Sequence, residues 1–479
     1  MFSPAKLIPL DRFKFLVKDT IIFGIAQAVS RSFALITFPV LSRNLSVAEY
    51  GTLDLFLTLS GFITILLIFG QDSAVARFFY ETDKIKIRKE IISQSFQIQI
   101  LLSLIVLPIL LILSDYFKGI FKIEEFNIYL NIILMTIPCM VVINFSQNIL
   151  KWTFSRNIFL FLTVGFSFFQ AIFLLSALFF LELNVMTALL INLFNNIIFS
   201  IIGLFFIRKW IIFEFKNIYK NKLILFAAPI GLVCLIESFI PVIERQIILK
   251  YLNLYDLGIY AAATKIAMFI ALLVGAFQIC WDPMAIAIFK EKNASKTYNQ
   301  VSRCFCILVC ITVLLIDLVS EDIIILLSSE RYQSSSYLIF PLCMALAIQS
   351  LGGITEIGIN LSKKTHFYFV SYLFFITTFL ISFSYLLPKF GILGVAYSVL
   401  ISQVVKILIS SFIAQKIYPI SWNYRPLITL PFVTLIIGLF GNSNYLEADL
   451  KILIYVIFIF YLIFYLTFLL KTIFKKENE

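Results

Sequence analysis

The chain has 479 residues, of which 61% are hydrophobic, and its mean hydropathy is +1.00. Soluble globular domains are about half apolar, so these values exclude a water-soluble fold and predict a polytopic helical membrane protein. The formal net charge is +11, but the basic residues concentrate in short loops, which indicates membrane topology and not a nucleic-acid partner.

Fourteen apolar segments have close to the ~20 residues that a helix needs to cross a bilayer. They lie at 15–41, 51–79, 91–113, 128–150, 157–180, 184–207, 222–249, 257–289, 303–320, 335–360, 366–387, 391–415, 426–441 and 451–470. With the N-terminus inside, the predicted cytoplasmic segments hold 27 of the 38 Lys and Arg residues, and the outer loops hold seven. This bias follows the positive-inside rule and predicts that both termini are cytoplasmic.

An internal repeat divides the chain. Residues 15–80 recur without a gap at 222–287, and pairs such as Gly51/Gly258 and Gln71/Gln278 share the same offset of 207 residues. Each repeat holds six spans, and because six is even, both halves enter the membrane from the same side. The sequence therefore predicts two parallel six-helix lobes, 1–210 and 211–417, with two additional transmembrane helices in 418–479. Such an arrangement favours a transporter.

Several charges fall inside the predicted spans, where a charge at the bilayer centre costs at least ~2.5 kcal/mol. Arg31 lies thirteen residues beyond Lys18, which places it roughly 20 Å deep at 1.5 Å per residue. Glu237 lies near the middle of the seventh span, and Glu244 follows two turns later on the same helical face. These residues are candidates for a site in the protein interior, although a structural salt bridge from Arg31 to an acid such as Asp54 or Glu237 is an alternative.

Other charged residues also leave alternatives open. Glu244 and Arg245 are candidates for the site or for a solvated pair at the outer rim. Lys265 is seven residues into the eighth span, from where its side chain could snorkel to the surface. Glu356 follows two glycines near the inner end of the tenth span.

Motifs for catalysis and cofactor binding are missing from the sequence. It contains a single histidine, His366, and no Walker-type phosphate loop, His-Glu-x-x-His, Gly-x-Ser-x-Gly or Asp-x-Asp motif. The seven cysteines all lie in apolar stretches, which favours helix packing over a metal site or disulfides. We therefore predict a protein that is not an enzyme and that has no metal or other cofactor.

Several motifs resemble those of bacterial polysaccharide flippases. They are Glu244-Arg245, Leu257-Gly258-Ile259-Tyr260 followed by Lys265, Phe277-Gln278-x-x-Trp281-x-Pro283, Pro39 to Gly51, and Gly391-Ile392-x-Gly394-x-Ala396. The resemblance covers nearly the whole chain and implies the O-antigen and capsule branch of the multidrug/oligosaccharidyl-lipid/polysaccharide exporter superfamily. One departure is Glu244, where aspartate is common in the family.

The resemblance implies two six-helix lobes arranged in a V, often with two added helices, in the bacterial inner membrane. It also implies a flippase that moves undecaprenyl-pyrophosphate-linked oligosaccharide repeat units from the cytoplasmic to the periplasmic leaflet, among membrane lipids. The polysaccharide polymerase and the chain-length regulator are expected partners. Because no ATP site of the Walker type is present, transport would use an ion gradient or the gradient of the substrate itself.

The charges inside the spans suit that substrate. The planar donor fork of arginine matches a phosphate, and lysine supplies a mobile point charge, so Arg31, Arg245 and Lys265 are predicted to bind the pyrophosphate. The acids Glu237, Glu244 and Glu356 are predicted to couple transport to an ion or to balance charge. The alternatives are a lipid II flippase or a drug/cation antiporter of the same superfamily and, more remotely, a polysaccharide polymerase, although the large outer loop expected of a polymerase is missing.

Overall fold

The computed structural model describes residues 22–475 except 213–217, 290, 292–293, 363, 365 and 443–447. Across these residues the secondary structure is helical, without a strand. Within the described part of the chain, fourteen helical segments, from Ile22–Asn44 to Asp449–Lys471, are long and apolar enough to cross a membrane. The prediction of an all-α polytopic membrane protein is therefore confirmed. The basic segment 1–18, predicted to be cytoplasmic, lies outside the described residues.

Two compact units divide the chain, Met1–Gly258 and Ile259–Glu479. The first unit thus includes α10, although this helix opens the second sequence repeat. The predicted lobe boundaries at 210 and 417 remain a prediction. In chain order, the helices of the first unit are α1 (22–32), α2 (Ala34–Asn44), α3 (Val47–Ile68), α4 (Gln71–Tyr80), α5 (Ile85–Ile112), α6 (Ser114–Phe121), α7 (Phe126–Trp152), α8 (Arg156–Phe180), α9 (Val185–Ile207) and α10 (Lys220–Tyr251).

The second unit continues from α11, whose first turn still belongs to the first unit. Its helices are α11 (Leu254–Ile288), α12 (Ala294–Leu318), α13 (Ser320–Leu327), α14 (Ser336–Thr355), α15 (Ile357–Leu361), α16 (Phe367–Phe390), α17 (Ile392–Ile417), α18 (Tyr424–Gly441) and α19 (Ala448–Lys475). Short 3₁₀ turns lie at Arg208–Trp210 and Glu330–Ser335.

In the first unit, α10 packs along α3 and α4. A capping box starts α3, because the Ser46 hydroxyl accepts from the Glu49 amide at 3.2 Å while the Glu49 carboxylate accepts from the Ser46 amide at 2.8 Å. A Cβ atom on Gly51 would lie 2.6 Å from the backbone nitrogen of Gly258. Only glycine permits this approach, which brings the start of α11 against the first turns of α3.

Two prolines in the seventh span suggest a bent or broken helix, yet α10 continues for 32 residues through Pro229 and Pro241. The span is therefore not broken. The second span, which packs against α10, is broken instead, because Phe69 and Gly70 separate α3 from α4.

In the second unit, α17 packs between α14 and α16, and both C-terminal helices, α18 and α19, pack on α12. A buried acid near the end of α12 connects them. Asp317 accepts hydrogen bonds from the Tyr455 hydroxyl at 2.6 Å and from the Asn442 amide at 3.2 Å. The two helices outside the repeat are thus joined to the second unit by polar contacts as well as by apolar packing.

Candidate functional site

Two buried ion pairs in the described part of the first unit share Arg245 and form one cluster. Arg245 of α10 donates through Nε and Nη2 to Oδ2 of Asp54 on α3, and both distances are 3.1 Å. Its Nη1 donates to Oε2 of Glu244, also at 3.1 Å. The three side chains are only 4–8% exposed, which excludes a solvated Glu244–Arg245 pair at the rim. Burial strengthens the attraction, but each charge also loses its hydration, so the cluster is stable only while the partners remain together.

The position of this cluster follows from the local fold. Asp54 lies three residues after Gly51, on the part of α3 that the contact between Gly51 and Gly258 holds close to the start of α11. Glu244 and Arg245 are adjacent in sequence, and both are buried in the last third of α10. The guanidinium edge formed by Nε and Nη2, which could bind a phosphate in two-point fashion, is occupied by Asp54 in this conformation.

Arg31 and Glu237 differ from the cluster, since both residues are exposed on the surface of the protein chain. Arg31 forms no ion pair with Asp54 or Glu237 among the described residues, so the proposed structural salt bridge is not found there. The preceding residue is fixed, because the Ser30 and Ser167 hydroxyls lie 2.5 Å apart. On the C-terminal side of Arg31, Phe33 makes an edge-to-face contact with Phe168. Arg31 therefore projects from a helix that is anchored on α8.

In the second unit, Lys265 is half-buried on α11, after a stretch of fully buried residues that includes Tyr260. Glu356 joins α14 to α15 and is 4% exposed. The Ser410 hydroxyl of α17 donates a hydrogen bond to its Oε1. The predicted acid of the tenth span is therefore a buried group with a neutral hydrogen-bond donor.

Lys406 lies one turn before Ser410 on α17 and is also 4% exposed. Its ammonium nitrogen is 4.3 Å from the ring centroid of Tyr372, which is a cation–π contact. No carboxylate pairs with this lysine in the described part of the chain. Lys406 falls inside the predicted span 391–415 but was not among the predicted site residues, because one charged residue in an apolar segment does not reveal which side chains surround it.

The structure thus brings Glu244 and Arg245 together with Asp54. Arg31 and Glu237 are exposed in the first unit, while Lys265 and Glu356 belong to the second unit. The functional roles assigned to these residues remain predictions. Across the described residues, no group of three or more His, Cys, Asp or Glu side chains is arranged to hold a metal ion.

Comparisons with known proteins agree with this architecture. The family described as "Polysaccharide biosynthesis protein" matches residues 16–281, which is more than half of the chain. A protein of the Lsg locus of Haemophilus influenzae is 20% identical over 343 residues, covering 70% of this chain and 82% of the relative.

Solved structures share the fold at low sequence identity. The lipid II flippase MurJ, in an inward closed conformation, has a TM-score of 0.70 at 15% identity, with 96% of this chain and all of that chain covered. A multidrug resistance MATE family transporter of the MOP superfamily has a TM-score of 0.60 at 15% identity, with 84% and 93% covered. The resemblance found in the sequence is therefore confirmed: the chain belongs to the polysaccharide biosynthesis protein family and has the fold of the MOP-superfamily flippases and transporters.

Proposed function

We propose that this protein is a flippase that moves undecaprenyl-pyrophosphate-linked oligosaccharide repeat units from the cytoplasmic to the periplasmic leaflet. It would do so by alternating access, coupled to an ion gradient. The single observation that carries this proposal is the family match, which spans residues 16–281 and thus includes Arg31, Arg245 and Lys265. The shared fold with flippases and transporters supports a transport function without catalysis.

The pyrophosphate headgroup is the difficult part of the substrate, because its negative charge has to cross a medium of low dielectric constant. Arg31 is the strongest candidate for the headgroup, since it is exposed and forms no ion pair with described residues. Lys265 is half-buried at the membrane-spanning part of α11. For Arg245 to bind phosphate through its Nε–Nη2 edge, the phosphate would have to replace Asp54.

The acids are proposed to balance or couple this movement. Glu244 is held by Arg245, so its proposed role is charge balance. Glu237 is exposed on α10, and Glu356 has a neutral partner in Ser410. These two carboxylates are able to gain or lose a cation without breaking an ion pair seen among the described residues, so they are the candidates for ion coupling.

The proposed location is the inner membrane of a bacterium, with both termini in the cytoplasm. This orientation places most Lys and Arg residues inside. The proposed partners are the membrane lipids, the lipid-linked substrate, the polysaccharide polymerase and the chain-length regulator.

Complementation tests the function directly. We expect the chain to restore surface polymer in a strain that lacks its repeat-unit flippase, at a protein level checked by immunoblot. The fold similarity to MurJ makes rescue of a strain depleted of lipid II flippase the informative second arm. Rescue of peptidoglycan synthesis without polymer export would replace our proposal with lipid II transport, and drug resistance alone would indicate an antiporter.

Substitution of the exposed cation tests the headgroup assignment. Arg31→Ala is expected to lower polymer export several-fold at equal protein level, and Arg31→Lys to restore part of it, because the charge is kept while the donor fork is lost. Ser32→Ala, at the exposed neighbouring position, is the matched control and should leave export unchanged. Normal export in Arg31→Ala would remove this residue from the proposed site. Lys265→Ala tests the second cation in the same assay.

A further inference from the structure

The second span consists of two helices separated by two residues that are not helical. Its first helix, α3, ends at Ile68, and its second, α4, begins at Gln71. The two residues between them both have left-handed backbone conformations, with φ of 42° at Phe69 and 69° at Gly70. Glycine adopts this conformation easily, but the Cβ atom of phenylalanine makes it unfavourable. Phe69 is therefore strained, and its surroundings must impose this conformation.

Those surroundings are supplied by α10. A Cβ atom at Gly70 would lie 2.7 Å from the carbonyl oxygen of Ala227, and one at Gly231 would lie 2.8 Å from the carbonyl group of Phe69. The backbones of the two helices are thus in direct contact at the break. Because backbone atoms of the two helices meet directly at both glycines, a change in the bend of the second span would be transmitted to α10.

Gln71, directly after the break, is only 1% exposed. Both polar atoms of its side chain are buried, and neither Nε2 nor Oε1 has a hydrogen-bond partner among the described residues. A primary amide can donate two hydrogen bonds and accept two, so leaving it buried and unpaired destabilises this conformation. Strain at Phe69 and the unpaired amide at Gln71 are separate observations that coincide within three residues.

We propose that Phe69–Gln71 is a hinge at which the second span changes its bend during transport, and that Gln71 finds its hydrogen-bond partners in the other conformation. The unpaired amide then keeps the present conformation from becoming too stable, because the opposite conformation gains the hydrogen bonds that this one lacks. This inference rests on the proposed alternating-access function, and it assigns to Gln71 a role in positioning the helix.

Replacement of Gln71 by an apolar residue of similar length tests this role. Gln71→Met is expected to raise the melting temperature of the purified protein by on the order of 2 °C, since a buried unpaired amide is removed. In the complementing strain it should lower polymer export several-fold at equal protein level, because the other conformation loses its hydrogen bonds. Gly61→Ala on α3, where an added Cβ meets nothing within 4 Å, is the control and should change neither quantity.

Each other outcome contradicts the hinge. A higher melting temperature with normal export would mean that Gln71 is only an unfavourable residue in the packing. A melting temperature that is unchanged or lower would mean that the amide does not destabilise the present conformation.

A distance measurement tests the hinge without relying on the substrate. Nitroxide labels would be attached at Gly61 on α3 and at the exposed Glu81 after α4, in a chain without its seven cysteines. In proteoliposomes we expect two distance populations for the parent chain and mainly one for Gln71→Met. A single distance in the parent, or the same two populations in the variant, would overturn the proposal. If the parent chain fails to restore polymer export, the proposed function fails, while this measurement still decides whether the hinge exists.

Discussion

The two compact units hold their buried charges in different ways. In the first unit, the guanidinium of Arg245 lies 3.1 Å from the carboxylates of both Asp54 and Glu244. In the second unit, Glu356 and Lys406 are equally buried, but each contacts a neutral group, the Ser410 hydroxyl and the Tyr372 ring. The first arrangement compensates charge by direct pairing, and the second stabilises each charge by a dipole or a quadrupole.

This difference separates charged residues that hold helices together from charged residues that can gain or lose a proton or a cation without leaving a buried ionic partner. Loss of one member of a buried ion pair leaves its partner uncompensated, so the cluster of the first unit stabilises the contact between α3 and α10. A carboxylate that accepts from a hydroxyl keeps a hydrogen bond in either protonation state. The comparison thus favours Glu356 over Glu244 for the proposed ion-coupling role, and stability measurements on single variants test it.

The largest effect is expected at Arg245. Arg245→Ala leaves two buried carboxylates without their guanidinium partner, which should destabilise the protein by about 3–5 kcal/mol. Unfolding in mixed micelles measures this loss. Arg77→Ala is the matched control, because Arg77 pairs with Glu81 at 3.3 Å while both side chains are 53% exposed. Exposed pairs contribute only about 0–1 kcal/mol. Equal losses in the two variants would show that burial of the cluster has no energetic consequence.

A smaller effect of different sign is expected at Lys406. Lys406→Met removes a buried charge that has no carboxylate partner in the described part of the chain, and it keeps a chain of similar length. Stability should be unchanged or higher by about 1 kcal/mol, because the desolvation of the ammonium group outweighs one cation–π contact. Lys416→Met is the control on the same helix, since Lys416 is exposed and lies 4.5 Å from the Phe412 ring. A large loss at Lys406 alone would show that its charge is paired after all.

The sequence predicts the fold better than the site for a physical reason. Apolar segments of spanning length and the bias of Lys and Arg depend on composition averaged over many residues, so they identify fourteen spans and the two helices outside the repeat. The partner of Arg245 depends on which helix packs against α10. The sequence suggested Asp54 as a partner of Arg31, and the packing of α3 against α10 pairs it with Arg245 instead.

The break after Ile68 also could not be read from the repeat. Residues 69 and 70 correspond to residues 276 and 277, and α11 continues through those positions as one helix. Gly70 is a local signal for a helix break, but single glycines also occur inside many continuous transmembrane helices. Two halves with a similar pattern therefore differ at a position where helix packing, and not the apolar pattern, decides the backbone conformation.

The smallest effect on stability is expected at Glu356. Glu356→Gln keeps a carbonyl oxygen that can accept from the Ser410 hydroxyl, so the free energy of unfolding should change by less than about 1 kcal/mol. If Glu356 couples transport to an ion, polymer export should nevertheless fall several-fold, because the amide cannot gain or lose a proton or bind a cation as a carboxylate does. Ser410→Ala is the control, since it removes the hydroxyl and keeps the titratable group. Export that falls in Ser410→Ala but stays normal in Glu356→Gln would assign the importance of this contact to helix packing and would remove Glu356 from the coupling mechanism.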